Sequence, residues 1–130
     1  MRKGNMGQGR GERRRGGRGK NKRMMGFLQP CILMQLTKED RHGYDLLMGL
    51  DDFIDDARQY DPSIIYRLLR DLEANGHVAS YEGDISLGPK RKMYSITAVG
   101  KNLLHTWMED LRSSRKEIDR LLDVYAEHYK

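Results

Sequence analysis

The sequence predicts an α+β fold that is mostly α-helical, with three short helices, a two-stranded hairpin and one long C-terminal helix. Apolar residues recur at spacings of three and four in the helical stretches. Two short β-prone runs flank a segment that contains Gly and Pro. An apolar heptad repeat then continues from residue 104 almost to the C-terminus. The length of 130 residues suits one small domain with an appendage.

Positive charge is concentrated at the N-terminus. Residues 1–23 hold ten of the 24 Lys and Arg residues, only Glu12 of the 19 acids, and no aromatic or branched apolar residue. This composition predicts a disordered basic tail, followed by a folded body at 24–100 and a terminal helix at 101–130. Such arginine- and glycine-rich arms bind nucleic acid by counterion release. The alternative is a solubilising tail, or an extension upstream of a true start at Met24 or Met25.

The first two predicted helices follow the tail. Residues 27–36 place four apolar side chains on one helical face: Leu28, Ile32, Leu33 and Leu36. Asp40 is a candidate cap for a second helix that would bury Tyr44, Leu47, Met48 and, near its end, Leu50.

The third helix has the clearest boundaries. Asp61 is a candidate N-cap, Pro62 suits the first helical position, and Asn75-Gly76 suits the end. With its apolar residues turned inward, the helix presents four polar side chains on or beside its outer face: Ser63, Tyr66, Arg67 and Arg70.

The hairpin is predicted from residues 78–81 and 93–96, and three adjacent cations lie near its mobile end: Lys90, Arg91 and Lys92. The long helix carries its heptad seam at Leu104, Trp107, Leu111, Ile118, Leu121 and Tyr125. A helix of about 30 residues extends roughly 45 Å, more than one small body covers, so the seam predicts a homodimer.

Several functional classes lack support. We find no nucleophile elbow, phosphate-binding loop or spaced carboxylate pair, so we expect no enzyme activity and no cofactor. The scattered histidines and the acidic connection at 51–56 do not have the spacing of a metal site. Without a membrane-spanning run or an export signal, a cytoplasmic protein is expected. Cys31 is interpreted as a small core residue rather than a redox sensor.

The order of the elements is that of a winged helix-turn-helix DNA-binding domain. From about residue 27 to 129 the sequence resembles the PadR family of transcriptional regulators. Four segments carry the resemblance: His42-Gly43-Tyr44-Asp45-Leu46, Asp61-Pro62-Ser63-Ile64-Ile65-Tyr66, the run from Leu72 to Val78, and the run from Gly88 to Gly100. Ile64-Ile65 and Arg67 depart from the common pattern, which leaves the base preference open.

The resemblance implies a homodimer that reads an inverted repeat in double-stranded DNA, with each third helix in a major groove and each wing along the backbone. Arg67 and Arg70 suit guanine or phosphate, whereas the three hairpin cations at 90–92, called the wing cations below, suit phosphate alone. The Ser63 and Tyr66 hydroxyls can donate to DNA near the start of the third helix, where the backbone dipole also favours an anion. Tyr44 is either a core residue with an exposed hydroxyl or a phosphate ligand. Trp107 is either a packing residue or part of a cavity for a flat aromatic effector.

The sequence therefore predicts a sequence-specific transcriptional regulator, and a repressor in particular, because a compact dimer on its operator blocks polymerase. The alternative is an architectural or RNA-binding protein in which the basic arm does most of the binding.

Overall fold

The computed structural model describes residues 16–83 and 91–129, with side chains described from Gly26 onward. Four helices and a small sheet make up the fold. The helices are α1 (Gly16–Lys38), α2 (Gly43–Gly49), α3 (Pro62–Ala74) and α4 (Ala98–His128). The strands are β1 (Arg41–His42), β2 (Val78–Glu82) and β3 (Lys92–Ile96). Two short 3₁₀ turns, Leu50–Asp52 and Ala57–Gln59, connect α2 to α3.

Helix α1 is longer than predicted. It begins at Gly16 rather than near Phe27, whereas the division of the chain into a tail at 1–23 and a body stays a prediction. Gly16, Gly17 and Gly19 are poor helix formers, so this first part of the helix is explained by propagation from the packed end, at one hydrogen bond per residue. Residues 1–15 lie outside the described part of the chain, so the basic tail remains a prediction there.

The second helix begins differently from the prediction. His42 and not Asp40 is its N-cap, since the His42 ring accepts a hydrogen bond from the Asp45 backbone N–H. The Asp40 carboxylate instead accepts a hydrogen bond from the Tyr81 hydroxyl at 2.7 Å. Leu47 and Leu50 are buried as expected, but Tyr44 and Met48 are exposed, because Leu46 supplies the rest of the buried face.

The third helix and the hairpin confirm the predicted elements. The Asp61 side chain caps α3 by accepting from the Ser63 N–H at 3.0 Å, and Gly76 provides the left-handed residue (φ 80°) beyond its end. β2 and β3 pair antiparallel, with Val78 opposite Ile96. The sequence did not predict β1, which pairs with the other edge of β3 and gives the sheet order β1-β3-β2.

One core joins these elements. Leu28, Ile32 and Leu33 of α1 are fully buried, as are Ile65 and Leu69 of α3. Leu104 is the innermost residue of the predicted seam on α4 and belongs to this core. Helix α4 is anchored where Gly100 meets the backbone of His77, because a Cβ at Gly100 would lie 2.0 Å from the His77 carbonyl oxygen. The core thus holds α3 and the hairpin in a fixed relation.

Candidate DNA interface

Helix α3 presents its polar face away from the core. Ile65, Leu69 and Leu72 are buried, which leaves Ser63, Tyr66, Arg67 and Arg70 exposed as the sequence predicts. Within the described residues, neither Arg67 nor Arg70 forms an ion pair. Two guanidinium groups about one turn apart are therefore available for a ligand with oxygen acceptors.

The two wing cations that the structure describes, Arg91 and Lys92, already have partners. Lys92 Nζ lies 3.7 Å from Glu73 Oε1, and 5.9 Å from the centre of the Tyr94 ring. Ser80 Oγ donates to the other oxygen of Glu73, so this carboxylate ties α3 to both strands of the hairpin. Lys90 lies outside the described residues.

Arg91 is held by the start of α2. Its Nη1 lies 2.9 Å from His42 Nε2, and the same ring nitrogen lies 3.2 Å from Asp45 Oδ2. The sequence gives no signal for this contact, because 49 residues separate His42 from Arg91. The contact exists because β1 places His42 opposite Met93, close to the start of β3.

A half-open cavity of about 390 Å³ lies between α2, α3 and the wing, and it contains four of the predicted DNA-binding residues. Its lining residues are His42, Gly43, Tyr44, Tyr66, Arg91, Lys92 and Tyr94. Tyr44 is 58% exposed, which rules out a core role for it in this chain. Tyr94 is buried, and this burial, with the nearby Glu73 charge, raises the pKa of its hydroxyl. This cavity, called the groove below, is therefore lined by aromatic rings and by positively charged side chains.

Gly43 lets the Tyr66 ring lie against the backbone of α2. A Cβ at this position would lie 2.4 Å from Cε1 of the ring, well inside van der Waals contact. The absence of a side chain at Gly43 thus sets the position of Tyr66 on the outer face of α3.

The predicted seam on α4 divides into two parts. Leu104 is buried by its own chain, and Leu111 is half-buried. The C-terminal half is open in the single chain, and Ile118, Leu121 and Tyr125 are 55%, 70% and 60% exposed. Leu122, Val124 and Tyr129 are also exposed and extend the apolar surface beyond the predicted residues.

Trp107 is half-buried against α1. Its indole Nε1 donates to Gln29 Oε1 at 2.6 Å, and its ring edge lies 4.0 Å from the position of a Cβ on Gly26. The packing role predicted for Trp107 is therefore present within one chain.

Among residues 16–83 and 91–129, no group of three or more His, Cys, Asp or Glu side chains is placed to hold a metal ion. In the same part of the chain, no helix is both long and apolar enough to cross a membrane.

Comparison with known proteins identifies the family. Residues 32–106 match the Transcriptional regulator PadR-like family, which is more than half of the chain. The chain belongs to the PadR-like family. The winged-helix fold and the four helices agree with this assignment and confirm the predicted fold class.

Several solved structures show the same architecture. A candidate transcriptional regulator from Thermoplasma acidophilum is 31% identical, with a TM-score of 0.68 over 78% of this chain and 96% of that one. A PadR-like transcriptional regulator from Bacillus cereus is 28% identical, with a TM-score of 0.66 over 78% and 96%. Bacillus subtilis PadR in complex with operator DNA is 28% identical, with a TM-score of 0.54 over 63% of this chain and 46% of that chain.

Proposed function

We propose that this PadR-like protein is a sequence-specific DNA-binding regulator whose α3 enters the major groove. The observation that carries the proposal is the pair Arg67 and Arg70, exposed about one turn apart and without an ion pair among the described residues. Each guanidinium can present two parallel donors to the O6 and N7 acceptors of guanine. The solved complex of Bacillus subtilis PadR with operator DNA supports DNA binding by this chain.

The groove beside α3 suits the DNA backbone. Arg91 and Lys92 supply positive charge, Tyr44 and Tyr66 supply hydroxyl donors, and the half-open shape admits a phosphate group. These contacts carry no sequence information, so we assign them to positioning and α3 to base recognition. Lys90, which lies outside the described residues, is proposed to contact phosphate as well.

A homodimer would cover the open half of α4. Six apolar side chains that are each more than half exposed are unusual on a monomer and typical of an interface. Two copies related by a two-fold axis present two α3 helices, which matches an inverted-repeat operator. We propose that such a dimer acts as a repressor by excluding polymerase from the promoter.

An aromatic effector on Trp107 is compatible with this dimer, although one edge of the indole is already occupied by α1. A flat ligand would have to stack on the part of the ring that Gln29 and Gly26 leave open, next to the seam.

The test compares duplexes selected by the wild-type protein from a random library with unselected duplexes. Arg67→Ala and Arg70→Ala should each weaken binding to selected DNA by about 1–3 kcal/mol and change binding to unselected DNA much less. Arg112→Ala is the matched control, because Arg112 is an exposed arginine on α4. Equal losses on both kinds of DNA would overturn the base-reading role.

The same measurement tests the basic-arm alternative. If binding shows little sequence preference and falls steeply with salt, and if removal of residues 1–15 abolishes it, the arm and not α3 carries the affinity.

A further inference from the structure

A second cavity, of about 550 Å³, lies between helix α1 and the connection from α2 to α3, and we call it the aromatic pocket. Its rings are those of Phe27 on α1 and of Phe53 and Tyr60 on the connection. Tyr60 is buried, whereas Phe27 is half-buried and Phe53 is 40% exposed, so apolar ring surface is open to solvent here. None of these residues belongs to the outer face of α3 or to the wing, so the proposed DNA contacts leave the pocket unused.

Two exposed carboxylates, Asp55 and Asp56, also line the aromatic pocket. Within residues 16–83 and 91–129, neither of them forms an ion pair. A guanidinium group stacks on an aromatic ring and donates two hydrogen bonds to a carboxylate. A pocket that combines phenylalanine rings with unpaired carboxylates therefore suits an arginine side chain.

The chain itself carries a segment of this chemistry next to the pocket. Residues 1–15, the N-terminal arm, lie outside the described part of the chain and precede α1, the helix that contributes Phe27 to the pocket. The arm contains one acid and six cations: Arg2, Lys3, Arg10, Arg13, Arg14 and Arg15. Its covalent connection to α1 supplies an effective concentration in the millimolar range, so a weak contact is enough to fill the pocket.

Chain length decides which cations of the arm can reach the pocket. Helix α1 begins at Gly16, eleven positions before Phe27, which is about 16 Å along the helix axis. An extended chain spans about 3.4 Å per residue, so the six residues from Arg10 to Gly16 cover about 20 Å and reach back to Phe27. The three residues from Arg13 to Gly16 cover only about 10 Å, and the reversal of direction uses part of that length.

We propose that the aromatic pocket is the docking site for the N-terminal arm of the same chain, which inserts a cation from residues 1–10 between the phenylalanine rings and the two carboxylates. The proposal goes beyond the proposed function and does not depend on it. A docked arm is withheld from nucleic acid, because the pocket and the phosphates compete for the same cations.

Fluorine NMR on the full chain tests the docking directly. The protein has two phenylalanines, Phe27 and Phe53, and both line the pocket, so labelling with fluorophenylalanine gives two signals that both report on it. Combined Arg2→Gln, Lys3→Gln and Arg10→Gln substitutions, the near-pocket variant, should shift both signals. Raising the salt concentration from about 50 mM to about 500 mM should move the wild-type signals toward those of this variant, because screening weakens an exposed contact.

The matched control combines Arg13→Gln, Arg14→Gln and Arg15→Gln. It removes the same charge from the same arm, but from residues too close to Gly16 to reach the pocket, so its spectrum should be that of the wild type.

Substitution of the carboxylates gives the reciprocal test. Asp56 has a left-handed backbone (φ 53°), which asparagine also adopts, so Asp55→Asn with Asp56→Asn should keep the fold, as thermal unfolding would verify. In that background the substitutions of the near-pocket variant should no longer move either signal.

Three outcomes would overturn the docking. One is a near-pocket variant with the wild-type spectrum, and another is an equal shift in the matched control, which would show an effect of net charge alone. The third is a pair of signals that move with protein concentration and not with the arm, which would place a second copy of the chain in the pocket. Each of these leaves the DNA-binding proposal standing, whereas a lack of preference for selected DNA would overturn that proposal and leave the docking unaffected.

Discussion

The open apolar face of α4 makes a quantitative prediction about assembly, and Leu121→Glu tests it. Leu121 is 70% exposed, so its side chain contributes little to the fold of its own chain. Burial in a dimer would stabilise it by roughly 1–2 kcal/mol in each subunit. A glutamate there places a carboxylate in an apolar seam, which costs several kcal/mol more. In total, the dimer should lose about 5 kcal/mol, more than a thousandfold in its dissociation constant.

Sedimentation velocity at micromolar concentration measures the outcome. The wild-type protein should sediment as a dimer and Leu121→Glu as a folded monomer. Lys116→Glu is the control, because Lys116 lies on the opposite face of α4 and the substitution changes the charge even more. DNA affinity of Leu121→Glu should fall a hundredfold or more, since one half-site loses the effective concentration supplied by the other. A wild-type monomer, or a dimer that tolerates both substitutions equally, would refute the α4 interface.

Three smaller perturbations test the fold and the groove. Gly100→Ala should destabilise the protein by several kcal/mol in thermal unfolding, because the new Cβ meets the backbone oxygen of His77, which has little room to move. Gly43→Ala should cost less than about 1 kcal/mol, since the Tyr66 ring can swing aside, yet it should weaken DNA binding as much as Tyr66→Ala does. Burial raises the pKa of the Cys31 thiol to about 11, so a thiol reagent at pH 8 should label it rapidly only after denaturation.

Local signals explain why α3 was predicted with its correct ends. Asp61, Pro62 and Gly76 each act within a few residues of their own position, by capping, by fixing φ or by accepting a left-handed conformation. The antiparallel hairpin was predictable for the same reason, because its two strands are close in sequence and separated by turn-forming residues.

Contacts between distant residues explain what the sequence did not predict. Asp40 was a reasonable cap for α2 by its type and position, but its carboxylate accepts from Tyr81, 41 residues later. The capping role passes to His42 because β1 pairs with β3 and extends the chain up to that residue. His42 also contacts Arg91, and no spacing pattern in the sequence predicts a contact between residues 49 positions apart.

The heptad seam on α4 shows that apolar periodicity predicts which face of a helix is buried but not which chain buries it. A regular apolar stripe predicts that the whole face is buried, but it does not say by which chain. Leu104 is covered by the core of its own chain, and Trp107 is half-buried against α1, whereas Leu121 and Tyr125 remain open. The boundary between the two parts follows from the size of the body, because α1 and the sheet cover only the first turns of a helix of 31 residues.

The arginines of α3 and the cations of the wing differ in whether they have a protein partner before DNA binds. This difference predicts how much each contributes to the affinity for DNA. Arg67 and Arg70 form no ion pair among the described residues, so a contact with a base replaces only their hydrogen bonds to water. Lys92 must leave Glu73, and Arg91 must leave His42, before either reaches a phosphate. Their net contribution is an exchange of partners, which is small in free energy and sensitive to salt. Affinity in this protein should therefore depend mainly on α3, while the wing adjusts that affinity to solution conditions.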